Sequence, residues 1–341
     1  MDSLIWLMVI CVALIVLFDY SNGFHDTANM IATVIATHAM TPTQAILLVA
    51  CFTFLGPLIA GTAVADTVGQ FVLLDDLPAQ SGIHIVLSGV IGAVGWNLLT
   101  WWRGLPSSSS HALVGGLTGA VLISAGADHV VWGWQTLAQE GHWSGLTKII
   151  AALLISPVAG LLIGYLLQKL AGLLLRWARP GINRTLRKLQ WLTAAWLAFS
   201  HGANDAQKSM GIITLILLLG GSLEEFVVPD WVIFLCASAI TLGTALGGWR
   251  IVRTVGFGIY KLHPLHALDA QLASALVISA AATVGGPVST THVVSSSIMG
   301  VGSADRPKSV RWGKAAEIIF TWFVTLPVSG SLAALFYLLT G

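Results

Sequence analysis

Charge is what this chain has least of. Of its 341 residues only 9% are Asp, Glu, Lys or Arg, against roughly 25% in a soluble domain, and the net charge is +1. A surface so poor in charge cannot face water on all sides, and a balance so near zero gives no sign of nucleic-acid binding. Cysteine is scarce too. Cys11, Cys51 and Cys236 stand in apolar runs without metal-ligand spacing, which excludes a zinc site or a disulfide framework and predicts buried, inert thiols. No polar segment is long enough for a separate soluble domain. The chain is filled instead with apolar residues, 56% of the total at a mean hydropathy of +0.84, the composition of an all-α integral membrane protein. Its first apolar run, 3–20, lacks a basic leader and a small-residue cleavage site, and is expected to remain as a helix.

A membrane span needs about 20 apolar residues, and candidates fall in matching order in two halves. The first half offers 3–39, 43–65, 83–102, 107–127 and 149–175; the second offers 191–220, 231–248, 268–284, 289–301 and 315–339. The first stretch of each half is expected to be interrupted by polar residues, at 21–29 and at 201–208. Loop charge then sets orientation, because Lys and Arg collect on the cytoplasmic side. Arg176, Arg179, Arg184, Arg187 and Lys188 place the central linker inside, and the loops carrying Asp66, Asp75 and Asp76, or Glu224, Glu225 and Asp230, fall outside. Five elements per half is an odd number, so the second half enters from the opposite face and both termini lie outside. The expectation is two inverted-topology repeats of about five membrane elements each, residues 1–175 and 191–341, joined by a short basic linker, 176–190, with broken helices or re-entrant segments at the midplane.

Two motifs follow the duplication. Ser21-Asn22-Gly23-Phe24-His25-Asp26-Thr27-Ala28-Asn29 returns 179 positions later as Ser200-His201-Gly202-Ala203-Asn204-Asp205-Ala206-Gln207-Lys208. A carboxylate in a lipid-length segment costs about 2.5 to 3.5 kcal/mol on insertion scales and marks an ion or substrate path. Asp26 with Asn22 and Asn29, and Asp205 with Asn204 and Gln207, supply oxygen ligands suited to a proton or a hard, transiently bound cation. The plainer alternative is a buried Asp satisfied by backbone donors. Lys208, standing where the first copy has Asn29, is a counter-ion for Asp205 or a ligand for an anion.

The second motif, Pro106-Ser107-Ser108-Ser109-Ser110-His111, recurs 181 positions later as Pro287-Val288-Ser289-Thr290-Thr291-His292. Gly and Pro mark a chain break, and the hydroxyl run after it marks a helix start whose free N–H groups and dipole favour an anion. Ser107, Ser108, Ser109, Ser110, Ser289, Thr290 and Thr291 are therefore candidate substrate ligands, set against a role in helix packing. His25, His111, His201 and His292 are supporting candidates, the last and His111 divided between capping or packing and direct contact. Asp19 and Glu317 also lie in apolar sequence, without repeat partners, and stay open.

The four motifs together resemble the inorganic phosphate transporter (Pit) family over essentially the whole chain. That resemblance implies a secondary transporter of the bacterial inner membrane that takes up phosphate by symport. Phe24-His25 in the first motif is similar to the bacterial low-affinity, proton-coupled branch, and implies a proton in preference to sodium. It further implies a homodimer, no resident cofactor, and phosphate that can travel with a divalent metal. Rival readings are a sulfate or other oxyanion carrier, an intramembrane serine hydrolase and a channel. The hydrolase reading is disfavoured because duplicated hydroxyl clusters single out no one activated Ser.

Overall fold

The computed structural model describes residues 2–179 and 181–340. Met1 and Gly341, the outer ends of the two expected repeats, and Pro180 of the expected linker lie outside the described residues. The first half supplies α1 (Asp2–Ala36), α2 (Pro42–Ile59), α3 (Ala63–Gly69), α4 (Ala79–Arg103), α5 (Ser109–Ser124), α6 (Trp134–Glu140) and α7 (Gly145–Leu174). The second supplies α8 (Ile182–Leu219), α9 (Asp230–Leu246), α10 (Trp249–Gly258), α11 (Pro264–Thr283), α12 (Thr290–Asp305) and α13 (Trp312–Thr340). The chain is thus all-helical in its described residues apart from one isolated bridge, Val72 to Val130.

Local sequence sets the boundaries. Thr41 caps α2 in a capping box with Gln44, and Pro42 occupies the first turn. Gly104, at φ 67°, ends α4 in the left-handed conformation that a side chain would strain. Pro106 and Pro287 then keep the chain extended until Ser108 and Ser289 cap α5 and α12. Residues 182–190, read as linker from the sequence, form the first turns of α8.

Among the described residues six helices, α1, α2, α4, α7, α11 and α13, are long and apolar enough to cross a membrane, and α9 with α10 makes a seventh if the 71° bend between them lies within one span. This is a multi-pass membrane architecture. The expected interruptions at 21–29 and 201–208 do not occur: α1 and α8 run through both motifs without a break. Neither motif contains proline, and hydroxyl groups fold back onto their own helix, Ser21 onto the Phe18 carbonyl at 2.8 Å and Thr27 onto that of Gly23 at 2.6 Å. The breaks lie instead ahead of α5 and α12. Each of these helices has 16 residues, about 24 Å at about 1.5 Å per residue, less than the roughly 30 Å hydrocarbon core.

Packing is reciprocal between the halves. α1 packs on α9 as α8 packs on α2, and α5 packs on α13 as α12 packs on α7. α1 and α8 themselves cross antiparallel, since Ser209 bonds Asp19 near one end and Gln190 bonds Thr37 near the other. Two apolar cores result. One takes Cys11, Ile15 and Phe18 of α1 with Met210 to Ile216 of α8; the other takes Ala28 to Val34 with Ala194 to Ala198. The polar motifs lie between them, where the helices cross.

Glycine sets how closely the helices approach. A Cβ at Gly23 would meet the Ile240 carbonyl of α9, and one at Gly202 would meet the Thr53 carbonyl of α2. Of the thiols, Cys11 and Cys236 are buried as expected, whereas Cys51 is exposed on the outer face of α2 because its run packs only one side. Gly23→Val and Gly202→Val should each lower the unfolding temperature in detergent, as overpacking of about 1 to 3 kcal/mol. Gly172→Ala, with nothing within 4 Å of the new Cβ, should leave it unchanged or slightly higher.

Candidate transport site

The repeat motifs meet at one point. From α1, the helical stripe at i, i+3, i+7 and i+10 aligns Asp19, Asn22, Asp26 and Asn29, all buried. From α8 come His201, Asn204, Asp205, Gln207 and Lys208, and the starts of α5 and α12 enter between. Thr290 Oγ1 lies 3.2 Å from Asp26 Oδ2 and 3.1 Å from Asp205 Oδ2. One hydroxyl has one proton to donate, so it satisfies one of these contacts and not both. The facing oxygen of the other carboxylate receives no proton from this hydroxyl. Asp26, His201 and Asp205 offer three ligand atoms all within 4.8 Å of one another, a group of the right chemistry for a cation.

Each carboxylate has further partners. Asp26 Oδ1 accepts from Thr291 Oγ1 at 3.1 Å, and Asn29 donates to that hydroxyl at 2.9 Å. His25 Nδ1 approaches Asp26 Oδ1 at 2.7 Å, while His25 Nε2 lies 3.3 Å from Ser107 Oγ, itself 2.7 Å from Thr100 Oγ1. An ionised Asp26 can only accept, so in the neutral imidazole Nδ1 carries the proton and Nε2 accepts from Ser107. Asp205 is paired with Lys208, whose ammonium also reaches Ser110 Oγ at 2.5 Å and the Val288 carbonyl at 2.9 Å. With neutral histidines, two carboxylates and one ammonium leave one net negative charge.

The hydroxyl clusters divide in their roles. Ser108 and Ser289, read as ligands, are spent on their own helices, accepting from the amides of His111 at 3.1 Å and His292 at 3.3 Å. Ser107 is held by Thr100 and His25. Ser109, Ser110, Thr290 and Thr291 remain at the helix starts, where their amides precede the first intrahelical acceptor. The two starts adjoin, because Ser110 Oγ donates to the Val288 carbonyl at 3.0 Å.

The other sequence candidates lie at the edge or away. Asn204 donates to the Gly286 carbonyl at 3.1 Å, and Gln207 accepts from the Val64 amide at 2.8 Å, which fixes the start of α3. The side-chain oxygens of Asn22, Asn29 and Asn204 have no hydrogen-bond partner. His111 and His292 lie with ring centroids 4.5 Å apart, and His292 stacks on Trp322 at 3.9 Å, so both face an apolar cavity of about 480 Å³ and not the carboxylates. Glu317 is an exposed partner of Lys314 at 2.7 Å. Sequence reading missed Thr100, Thr33, Thr193 and Gln271. Gln271 donates to Thr33 at 2.7 Å and accepts from Thr193 at 2.5 Å, extending the polar stripe of α1; the helical spacing of Thr33 and Thr37 was the available signal.

Comparison with known proteins places the chain among phosphate transporters. The phosphate transporter family matches twice, over residues 22–180 and 175–333. A probable low-affinity inorganic phosphate transporter of Bacillus subtilis strain 168 is 41% identical over 341 residues, covering 99% of this chain and 98% of the relative. One of the same description from Rhizobium meliloti strain 1021 is 40% identical, covering 97% and 96%. A solved structure titled the sodium-dependent phosphate transporter shares the fold at a TM-score of 0.86 over 98% of both chains, with 23% identity.

The pairing of Asp205 with Lys208 can be tested directly, since removing one partner leaves the other charge buried and costs about 3 to 5 kcal/mol. Asp205→Leu should lower the unfolding temperature in detergent, and Asp205→Leu with Lys208→Met should recover most of the loss. A double variant no more stable than the single one would show that the pair is not coupled.

Proposed function

The chain belongs to the phosphate transporter family, and from that premise we propose that it takes up inorganic phosphate by symport with a cation, a proton in preference to sodium, through alternating access of two inverted repeats. It is a transporter and not an enzyme. The observation that carries the reading is the convergence of Asp26 and Asp205 on the single hydroxyl of Thr290 at the start of α12.

Phosphate is held by the starts of α5 and α12, through the amides and hydroxyls of Ser109, Ser110, Thr290 and Thr291, with Lys208 beside Ser110. Asp26 and Asp205, with His201 near them and Asn29 bracing Thr291, hold the coupling proton or cation, which can be a metal ion travelling with the phosphate. Coupling follows from charge. An anion placed beside a site of one net negative charge is repelled until a proton or cation neutralises it, and the positive partner is in turn held more tightly once the anion is present. Phosphate, which keeps a proton at neutral pH, can donate to a carboxylate; sulfate can only accept.

The antiparallel crossing of α1 and α8 supports inverted repeats, and the chain breaks before two short helices support re-entrant segments at the midplane. The membrane is the bacterial inner membrane, with both termini outside. The apolar outer faces of α2, α7 and α13, with Leu47, Leu166 and Phe320 exposed, leave room for lipid and for a homodimer contact.

Purified protein in liposomes, given labelled phosphate and an inward proton or sodium gradient in turn, should accumulate phosphate uphill with the proton gradient. Asp26→Asn should remain folded and lose at least about tenfold in proton-driven uptake, or about 1.4 kcal/mol. Wild-type uptake by that variant would remove Asp26 from the site. Orientation has its own test in a cysteine-free background. Asn183→Cys should resist an impermeant thiol reagent in intact cells, while Ser3→Cys and Thr340→Cys should react.

A further inference from the structure

Two buried carboxylates, Asp19 of α1 and Asp269 of α11, make no contact with the Asp26–Asp205 centre, and of these only Asp19 lies on the polar stripe that leads to it. Asp19 lies on the same stripe of α1 as Asp26, two turns nearer the N-terminal end of the helix, and is 0% exposed. Its Oδ1 accepts from Ser209 of α8 at 2.5 Å, and its Oδ2 has no hydrogen-bond partner. The charged and titratable groups facing it are Asp205 and Lys208 from α8 and the Cys236 thiol from α9, the last a weak donor. Lys208 is already committed to Asp205, Ser110 and the Val288 carbonyl.

A structural Asp would have donors on both oxygens. This one has one hydroxyl donor, on Oδ1, and beyond it only the weak Cys236 thiol, which suits neither a permanently ionised group, left costly in an apolar core, nor a permanently neutral one, whose O–H lacks an acceptor. It suits a group that changes between the two. Asp19 also breaks the duplication, because position 198, its counterpart 179 residues on, is Ala. The paired motifs sit where the repeats meet; the unpaired acid lies to one side, between that centre and the end of the crossing where α1 begins. Asn22, whose side-chain oxygen is also without a partner, stands between Asp19 and Asp26 on the same face.

We propose that Asp19 is a proton-binding station of the transport cycle, loading and unloading the coupling proton between that membrane face and the Asp26–Asp205 pair. The only bond made and broken is the O–H on its carboxyl, and no electron changes hands. This rests on the proton-symport reading above. In that frame Asp19 is a positioning residue for the proton and does not touch phosphate.

The test uses full-length protein in liposomes, with two readouts: accumulation of labelled phosphate driven by an inward proton gradient, and exchange of labelled for unlabelled phosphate with no gradient, which needs no net proton movement. Asp19→Asn, fixed in the neutral form, should lose at least about tenfold in accumulation and flatten its pH dependence while exchange holds within about twofold. Ser209→Ala, which removes the hydroxyl donor to the ionised form, should shift the pH midpoint of accumulation upward; it carries the test alone if Asp19→Asn does not fold. Accumulation with the wild-type pH profile in both variants, or equal loss of exchange and accumulation in folded Asp19→Asn, would overturn the inference. Failure of the wild-type protein to accumulate phosphate with a proton gradient would instead overturn the symport reading beneath it.

Discussion

Two carboxylates compete for one hydroxyl proton inside the membrane, and the rest of the structure is arranged to hold them there. Asp26 and Asp205 come from helices that begin in different halves of the chain, yet both reach Thr290 Oγ1 within 3.2 Å. In an interior of low dielectric, two such charges are costly to hold together unless positive or donating groups surround them. Lys208 offsets one charge and no more. Under the symport proposed above, the remaining deficit lets an anion and a positive partner bind only together, so coupling needs electrostatics and no separate signalling element.

Holding that geometry requires close crossings. Gly23 and Gly202, which are repeat equivalents, each lie against a backbone carbonyl of the neighbouring helix, so α1 and α8 approach α9 and α2 more closely than any side chain would permit. Small residues serve this purpose in membranes because lipid gives apolar helices little reason to associate, and backbone proximity and packing must supply the attraction. The two apolar cores above and below the crossing keep water from the polar stripe. Ser108 and Ser289 satisfy amides at helix starts that would otherwise be orphaned, which leaves Thr290 and Thr291 to reach the carboxylates while Ser110 meets Lys208 and the Val288 carbonyl.

The sequence by itself determined the membrane class, the duplication, the four motifs and most of the charged chemistry. Composition excludes a water-facing surface, and two offsets of 179 and 181 residues tie both motifs to one duplication. It also misled in places that share a cause. Polar residues in an apolar run were read as a break in α1 and α8, but without proline the backbone ladder continues, and the polar side chains find partners on their own helix or across the crossing, which spacing does not show. Ser108 and Ser109 look alike in a run of four serines; only the position of the cap decides that one is consumed by its own helix.

What only the tertiary structure decided is who meets whom across the halves. Asp26 with Thr290, Lys208 with Ser110 and Asp19 with Ser209 are separated by 264, 98 and 190 residues, and no local periodicity encodes such contacts. The same holds for His111 and His292, which have matching places in the motifs and yet turn toward Trp322 and an apolar cavity. Residue type and period fix which face of a helix is polar, because side-chain direction follows from backbone geometry. Which polar face it meets is set by packing of the whole chain, because small residues and reciprocal helix pairs choose the crossing, and the crossing chooses the neighbours.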